Sequence, residues 1–197
     1  PEARPREVLQ DLLGSNVQED LKIRRDPKFG TYVQGLSERV IESADGLTAL
    51  IEQGNKKRAV ASTLMNSESS RSHAVVIIRL EQEHPADVLA GRGKKKIGSK
   101  VNLVDLAGSE RLAESHSKGD AAKETGHINK SLFVLANVVY KLSENMRGNT
   151  QHIPYRDSKL TQILRSALGG NSLTAVIFTA SPNFEHINLT LSTLRFA

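Results

Sequence analysis

Cysteine is absent from the 197 residues. Disulfides and thiolate zinc sites are therefore excluded, and a reducing compartment is permitted. Tryptophan is absent too and aromatics make up only 4% of the chain, so a core must rest on Leu, Ile, Val and Ala. No stacking aromatics are interleaved with the basic residues and no predicted helix carries a dense basic stripe, which sets nucleic acid aside as a partner. No apolar run approaches the roughly 18 residues of a membrane span. No leader-type segment opens the chain, and no internal repeat occurs. The 38% hydrophobic content is ordinary for a globular protein and too high for a disordered one. Lys plus Arg exceed Asp plus Glu by 27 to 22, a net +5. That excess suits an acidic partner, and it equally suits a merely soluble surface. A start at Pro1 and an abrupt Leu-Arg-Phe-Ala end suggest a chain cut from something longer.

Strand and helix signals alternate along the chain. Leu21–Arg24 and Thr31–Val33 read as short strands around a turn at Asp26-Pro27-Lys28-Phe29-Gly30. Ser43 can cap a helix from about Ala44 to Lys57, with Leu47, Leu50, Ile51 and Gly54 on one face. Ala74–Leu80, Val101–Leu106 and Thr174–Ala180 are continuous apolar runs, as expected of strands buried on both faces. Pro85–Lys100 reads as a Gly/Lys-rich mobile loop, and Arg111–His127 as loop with frayed helix. Ile128, Leu132, Leu135, Val139 and Leu142 form one apolar helical stripe. Asp157 or Ser158 can cap a further helix through Leu168, which Gly169-Gly170 stops, and Thr190–Ala197 starts a last one. This alternation predicts an α/β fold with a mainly parallel central sheet and helices on its faces.

Two segments carry candidate chemistry. Asp105 ends the strand Val101–Asp105, where a carboxylate sits at the ligand-binding edge of an α/β sheet and can hold a Mg²⁺-bound water. Gly108 lacks a Cβ, so its backbone N–H can approach a terminal phosphate. Taken alone, Asp-x-x-Gly is also an ordinary turn after a strand. Ser69-Ser70-Arg71-Ser72-His73 offers adjacent hydroxyls that can ligate Mg²⁺ and bond phosphate oxygens, or simply cap the next element.

Together the segments are far more specific. NSESSRSH (Asn66 to His73), a buried strand, a loop, and then VDLAGSE (Val104 to Glu110) resemble the two switch segments of the kinesin motor domain. The likeness continues through YVQGLSERV (Tyr32 to Val40), GNKKRAVASTLMN (Gly54 to Asn66), HINKSL (His127 to Leu132), HIPYRDSKLT (His152 to Thr161), LGGNSLT (Leu168 to Thr174) and LSTLRFA (Leu191 to Ala197). The wording LKIR…GLS…GNKKR leans toward the kinesin-3 branch.

The resemblance implies a P-loop NTPase-type fold, a microtubule-based motor ATPase, ATP with Mg²⁺ as cofactors, and location on cytoplasmic microtubules. It implies that residues 1–197 are a partial motor domain, incomplete at both ends, in which oligomerisation would run through a neck or tail. Within it, Ser70 would contact Mg²⁺ and the γ-phosphate, and Ser69 would help hold the attacking water. Asn66 would join the nucleotide-contacting set. Asp105 would hold Mg²⁺ through water, and Gly108 would donate its N–H to the γ-phosphate. Arg71 and Glu110 would form a salt bridge that closes one switch on the other, with Glu110 also able to accept a proton through a water relay. The helix beginning near Ile128 would lie on the microtubule. Arg39, Lys130, Arg156 and Lys159 would meet the acidic tubulin surface, as would Lys118, Lys123 and Arg147 in more variable loops.

The chain also departs from the family. No glycine-rich G-x-x-x-x-G-K-[ST] loop occurs, and Gly91-Arg92-Gly93-Lys94 lacks its spacing. The stretch from Leu112 to His127 is less glycine-rich than is usual, and Leu189 replaces a customary Glu. Without the phosphate cradle, these 197 residues alone are expected to show no appreciable ATPase. The alternative function is a non-catalytic microtubule-binding fragment or truncated isoform.

Overall fold

The computed structural model describes residues 7–15, 20–26, 30–64, 72–83, 96–108 and 120–196. They fall into two compact units. One is drawn from residues up to Val40 and from Ser109 onward, and the other is Ile41–Gly108.

In the first unit, β1 (Lys22–Asp26) pairs antiparallel with β2 (Gly30–Gln34), Ile23 opposite Val33. Gly30 and Gly35 bracket β2 at φ values of 76° and 78°, a region that L side chains rarely enter. Ahead of the hairpin, Asp11 is buried, and its carboxylate accepts the backbone N–H groups of Ser37 at 2.7 Å and Leu13 at 2.9 Å. Burial pushes the Asp11 carboxyl up, but the hydrogen bonds from Ser37, Leu13 and Gly14 outweigh it and hold the pKa below the ordinary 3.8. The unfolded chain therefore takes up the proton first. Asp11 stabilises the fold fully well above pH 3.8, and that contribution fades as the pH falls through the lowered native value. Asp11→Asn is expected to destabilise the protein by about 2 kcal/mol at neutral pH, the scale of lost charge-assisted hydrogen bonds. The gap to the unmodified protein should narrow in acid. Denaturant unfolding at pH 7 and pH 3 measures both values, and an equal gap at the two would contradict the assignment.

The long helix of this unit is α2 (Asp120–Met146), so the helical signal at Ile128 extends upstream into the stretch read as loop with frayed helix. Among its described side chains the buried positions are Ser131, Val134 and Val138, one residue off the apolar stripe read from the sequence, and Val139 of that stripe is 42% exposed. One residue turns a helix face by about 100°, yet Leu132, Leu135 and Leu142 remain half-buried beside the buried positions. A 3₁₀ turn (Tyr155–Asp157), α3 (Lys159–Ile163) and α4 (Arg165–Gly169) follow, so the single helix expected to Leu168 is broken at Leu164. The cap expected at Ser158 is present: its Oγ accepts the Leu160 N–H at 3.1 Å. That bond is worth about 1 kcal/mol. Leu160, Thr161 and Leu164 are buried, and α2 packs on both the 3₁₀ turn and α3. A second 3₁₀ turn (Phe184–His186) leads into α5 (Ile187–Phe196).

In the second unit, Ser43 Oγ accepts the Gly46 N–H at 3.1 Å at the start of α1 (Ala44–Leu64), which runs past the expected end at Lys57. Gly54 is buried on its inner face, as the spacing predicts. β3 (Ala74–Glu83) pairs antiparallel with β4 (Lys96–Asp105) from Ala74 opposite Asp105 to Glu83 opposite Lys96. Lys96–Lys100, read as loop, is thus strand, while residues 84–95 lie outside the described set.

Both ladders among the described residues are antiparallel, whereas the sequence patterning predicts a mainly parallel sheet. β3 and β4 are hairpin partners, and hairpins pair antiparallel; parallel strands need a crossover. Thr174–Ala180 joins neither ladder and is exposed, Ile177 at 89%. β4 likewise leaves Val101, Leu103 and Val104 exposed. The apolar runs report a need for cover that these ladders alone do not supply.

Candidate nucleotide-sensing and track-binding sites

The β3–β4 register decides which residues meet. Because Ala74 stands opposite Asp105, the end of the serine segment and the start of the Asp-x-x-Gly segment share one end of the hairpin. His73 Nδ1 accepts the Ala107 N–H at 3.0 Å, so its other ring nitrogen carries the proton. Ala107 is buried and Gly108 half-buried beside it.

Arg58, on α1, completes this cluster. Its Nη1 lies 2.6 Å from Asp105 Oδ2, its Nε donates to Ser72 Oγ at 2.9 Å, and its Nη2 donates to the Ser72 carbonyl at 2.6 Å. The Arg58 side chain is only 12% exposed, while Asp105 is 70% exposed. One planar guanidinium therefore ties the two segments together and leaves the carboxylate accessible, a geometry that lysine's point charge cannot reproduce. Sequence reading missed Arg58, because in Lys56-Lys57-Arg58 it looks like part of a solvated face.

Of the other residues expected here, Asn66, Ser69, Ser70, Arg71 and Glu110 lie outside the described residues. Among the described residues no group of three or more His, Cys, Asp or Glu could hold a metal ion. Asp105 supplies a carboxylate and Ser72 a hydroxyl at the same end of the hairpin. These all-oxygen donors suit a hard cation such as Mg²⁺, which keeps several of its own waters.

The basic residues divide differently. Lys130 on α2, Arg156 in the 3₁₀ turn and Lys159 at the start of α3 line one cleft of about 450 Å³. Arg39 is exposed elsewhere and donates to the Glu38 carbonyl at 3.4 Å. Arg147 pairs with Glu144 at 3.2 Å, one turn back at the end of α2. Lys123 lies on α2 with its side chain outside the described set, and Lys118 lies outside it altogether.

The family model "Kinesin motor domain" matches residues 6–197. Kinesin-related protein 5 of Dictyostelium discoideum is 43% identical over 190 residues, covering 96% of this chain and 18% of that protein. Kinesin-like protein KIF14 of Mus musculus is 46% identical over 196 residues, covering 97% of the chain and 12% of that protein. Among solved structures, a KIF14 dimer in its two-heads-bound state with AMP-PNP on a microtubule superposes with a TM-score of 0.83 at 45% identity. That match covers 95% of this chain and 52% of the solved one. A fast kinesin matches with a TM-score of 0.83 at 40% identity, over 96% and 51% of the two chains. The fold is thus the mixed α/β architecture of a cytoskeletal motor domain, present in part. The chain belongs to the kinesin motor domain family. It spans about half the length of the solved motor chains it matches and less than a fifth of the first curated relatives.

Proposed function

We propose that this chain is the γ-phosphate-sensing and track-binding part of an ATP-driven microtubule motor. The observation that carries the proposal is the β3–β4 register with its Arg58 and His73 cross-links, which puts Ser72, Asp105 and Gly108 at one end of one hairpin. Relatives of this chain have been solved with AMP-PNP or with ADP on microtubules.

In this reading Gly108 offers its N–H to the γ-phosphate. Ser69, Ser70 and Asn66 line the nucleotide, with Ser69 placing the attacking water. Ser70, together with Asp105 acting through water, would hold Mg²⁺, which when bound would neutralise charge on the phosphate oxygens. Arg58 fixes the orientation of the Asp105 carboxylate. Arg71 and Glu110 close the switches upon each other only when the terminal phosphate draws both in. Loss of that phosphate is read out by movement of α2, a 27-residue rigid element.

The track contact falls to Lys130, Arg156 and Lys159 in their shared cleft, and Arg39, Lys118, Lys123 and Arg147 are assigned to the same contact by their place in the motifs and loops of the chain. The net charge of +5 then has an acidic counterpart. Co-sedimentation of the protein, expressed from its full gene, with microtubules tests this. Raising the ionic strength from about 0.01 M to about 0.15 M shortens the screening length from about 30 Å to about 8 Å. Binding should weaken severalfold over that range; binding indifferent to salt would refute the charge-based contact. The same assay in ATP and in AMP-PNP separates the motor from a non-catalytic microtubule-binding module. Affinity that ignores the nucleotide assigns the module.

A further inference from the structure

Lys159 is already engaged. Its Nζ lies 2.5 Å from Asp20 Oδ1, and its side chain is only 25% exposed. Asp20 is itself fixed from behind: the Leu9 N–H donates to the same Oδ1 at 3.0 Å, and the Leu21 N–H donates to the Leu9 carbonyl at 3.0 Å. A second acid on the cleft wall, Glu7, has a different task. It accepts the Ser158 hydroxyl at 2.8 Å and the Lys159 backbone N–H, and so holds the first turn of α3 in place. Glu7 therefore serves the backbone, whereas Asp20 meets the ammonium itself.

An acidic surface approaching this cleft finds Lys130 and Arg156 on its wall, both exposed, but Lys159 occupied. To pair with Lys159 it must displace a carboxylate that the Leu9 amide holds in position. The exchange replaces one anion by another, so the number of ion pairs is conserved and the net gain is small. Asp20 also subtracts one positive charge from the face that an acidic partner meets at long range.

We propose that Asp20 is a built-in counter-anion for Lys159 that an acidic track must displace, and that it thereby lowers the affinity and the salt sensitivity of docking. The proposal rests on the track-binding reading above, with the acidic microtubule surface as the partner.

Asp20→Asn keeps an oxygen for the Leu9 amide and removes the charge. In the protein from its full gene, with AMP-PNP, it should sediment with microtubules about two- to fivefold more tightly, the scale of one partly exposed ion pair. Its binding should also fall more steeply with salt. Both effects should vanish in a Lys159→Ala background, since no ammonium remains to be released. Asp20→Ser, a smaller neutral replacement, should act in the same direction, which guards against a local distortion peculiar to Asn. Unchanged or weaker binding by both neutral variants overturns the proposal, as does a gain of equal size without Lys159. If the unmodified protein does not sediment at all, the track-binding reading fails and the inference goes with it. If it sediments and Lys159→Ala weakens it while Asp20→Asn does nothing, only the inference fails.

Discussion

Replacing Glu110 by Ala in the protein from its full gene is expected to leave ATP binding intact and nearly stop hydrolysis. Phosphoryl transfer asks a protein for positioning and electrostatics rather than covalent chemistry. Glu110 contributes to both in the proposed site: it closes the second switch on Arg71, and it accepts a proton through water. An exposed Arg–Glu pair by itself is worth only about 0–1 kcal/mol, too little to account for a large rate effect. The loss must come from failed closure and the missing relay, and general-base contributions run to about 10²–10⁴-fold. Steady-state phosphate release and equilibrium binding of a fluorescent ATP analogue measure the two halves separately. Near-normal turnover would remove Glu110 from the mechanism, and lost binding would recast it as a structural residue.

Asp105→Asn is expected to have the next largest effect. The amide keeps an oxygen for Arg58, so the cross-link from α1 to the hairpin should persist in weaker form. What would be lost is the charge proposed to hold Mg²⁺ through its water. Removing a partner of that outer kind typically costs about 10–100-fold in metal affinity or activity. Turnover should fall accordingly, and half-maximal activity should need more Mg²⁺. A Mg²⁺ titration of the ATPase checks this, and an unchanged midpoint would exclude Asp105 from holding the cation. Its thermal unfolding should move little, because Asp105 is 70% exposed and the amide oxygen still accepts from Arg58.

Several elements were legible in the chain because their causes are local. Ser43 and Ser158 cap helices where a hydroxyl precedes a helical run, and both caps are formed. The β1–β2 hairpin follows from short strands around a turn ending at Gly30. The motifs around Asp105 and Gly108 also lie where the strand end predicted, at the close of β4. Burial was read less well. Hydrophobic runs state that a strand needs cover, not whether cover is at hand, so Thr174–Ala180 and much of β4 are more exposed than their composition suggests. The α2 stripe was displaced by one residue because its inner face includes the polar Ser131, which a hydrophobicity pattern passes over.

The sequence by itself determined the family, since the likeness resides in contiguous motifs whose order along the chain carries the information. Tertiary structure alone decided the pairings. Arg58 reaches Asp105 across 47 positions, and Lys159 reaches Asp20 across 139. Neither pair has a spacing that a helix or strand period could reveal. Partner choice between distant charges is settled by where the backbone sets them down, and that is a property of the packed chain.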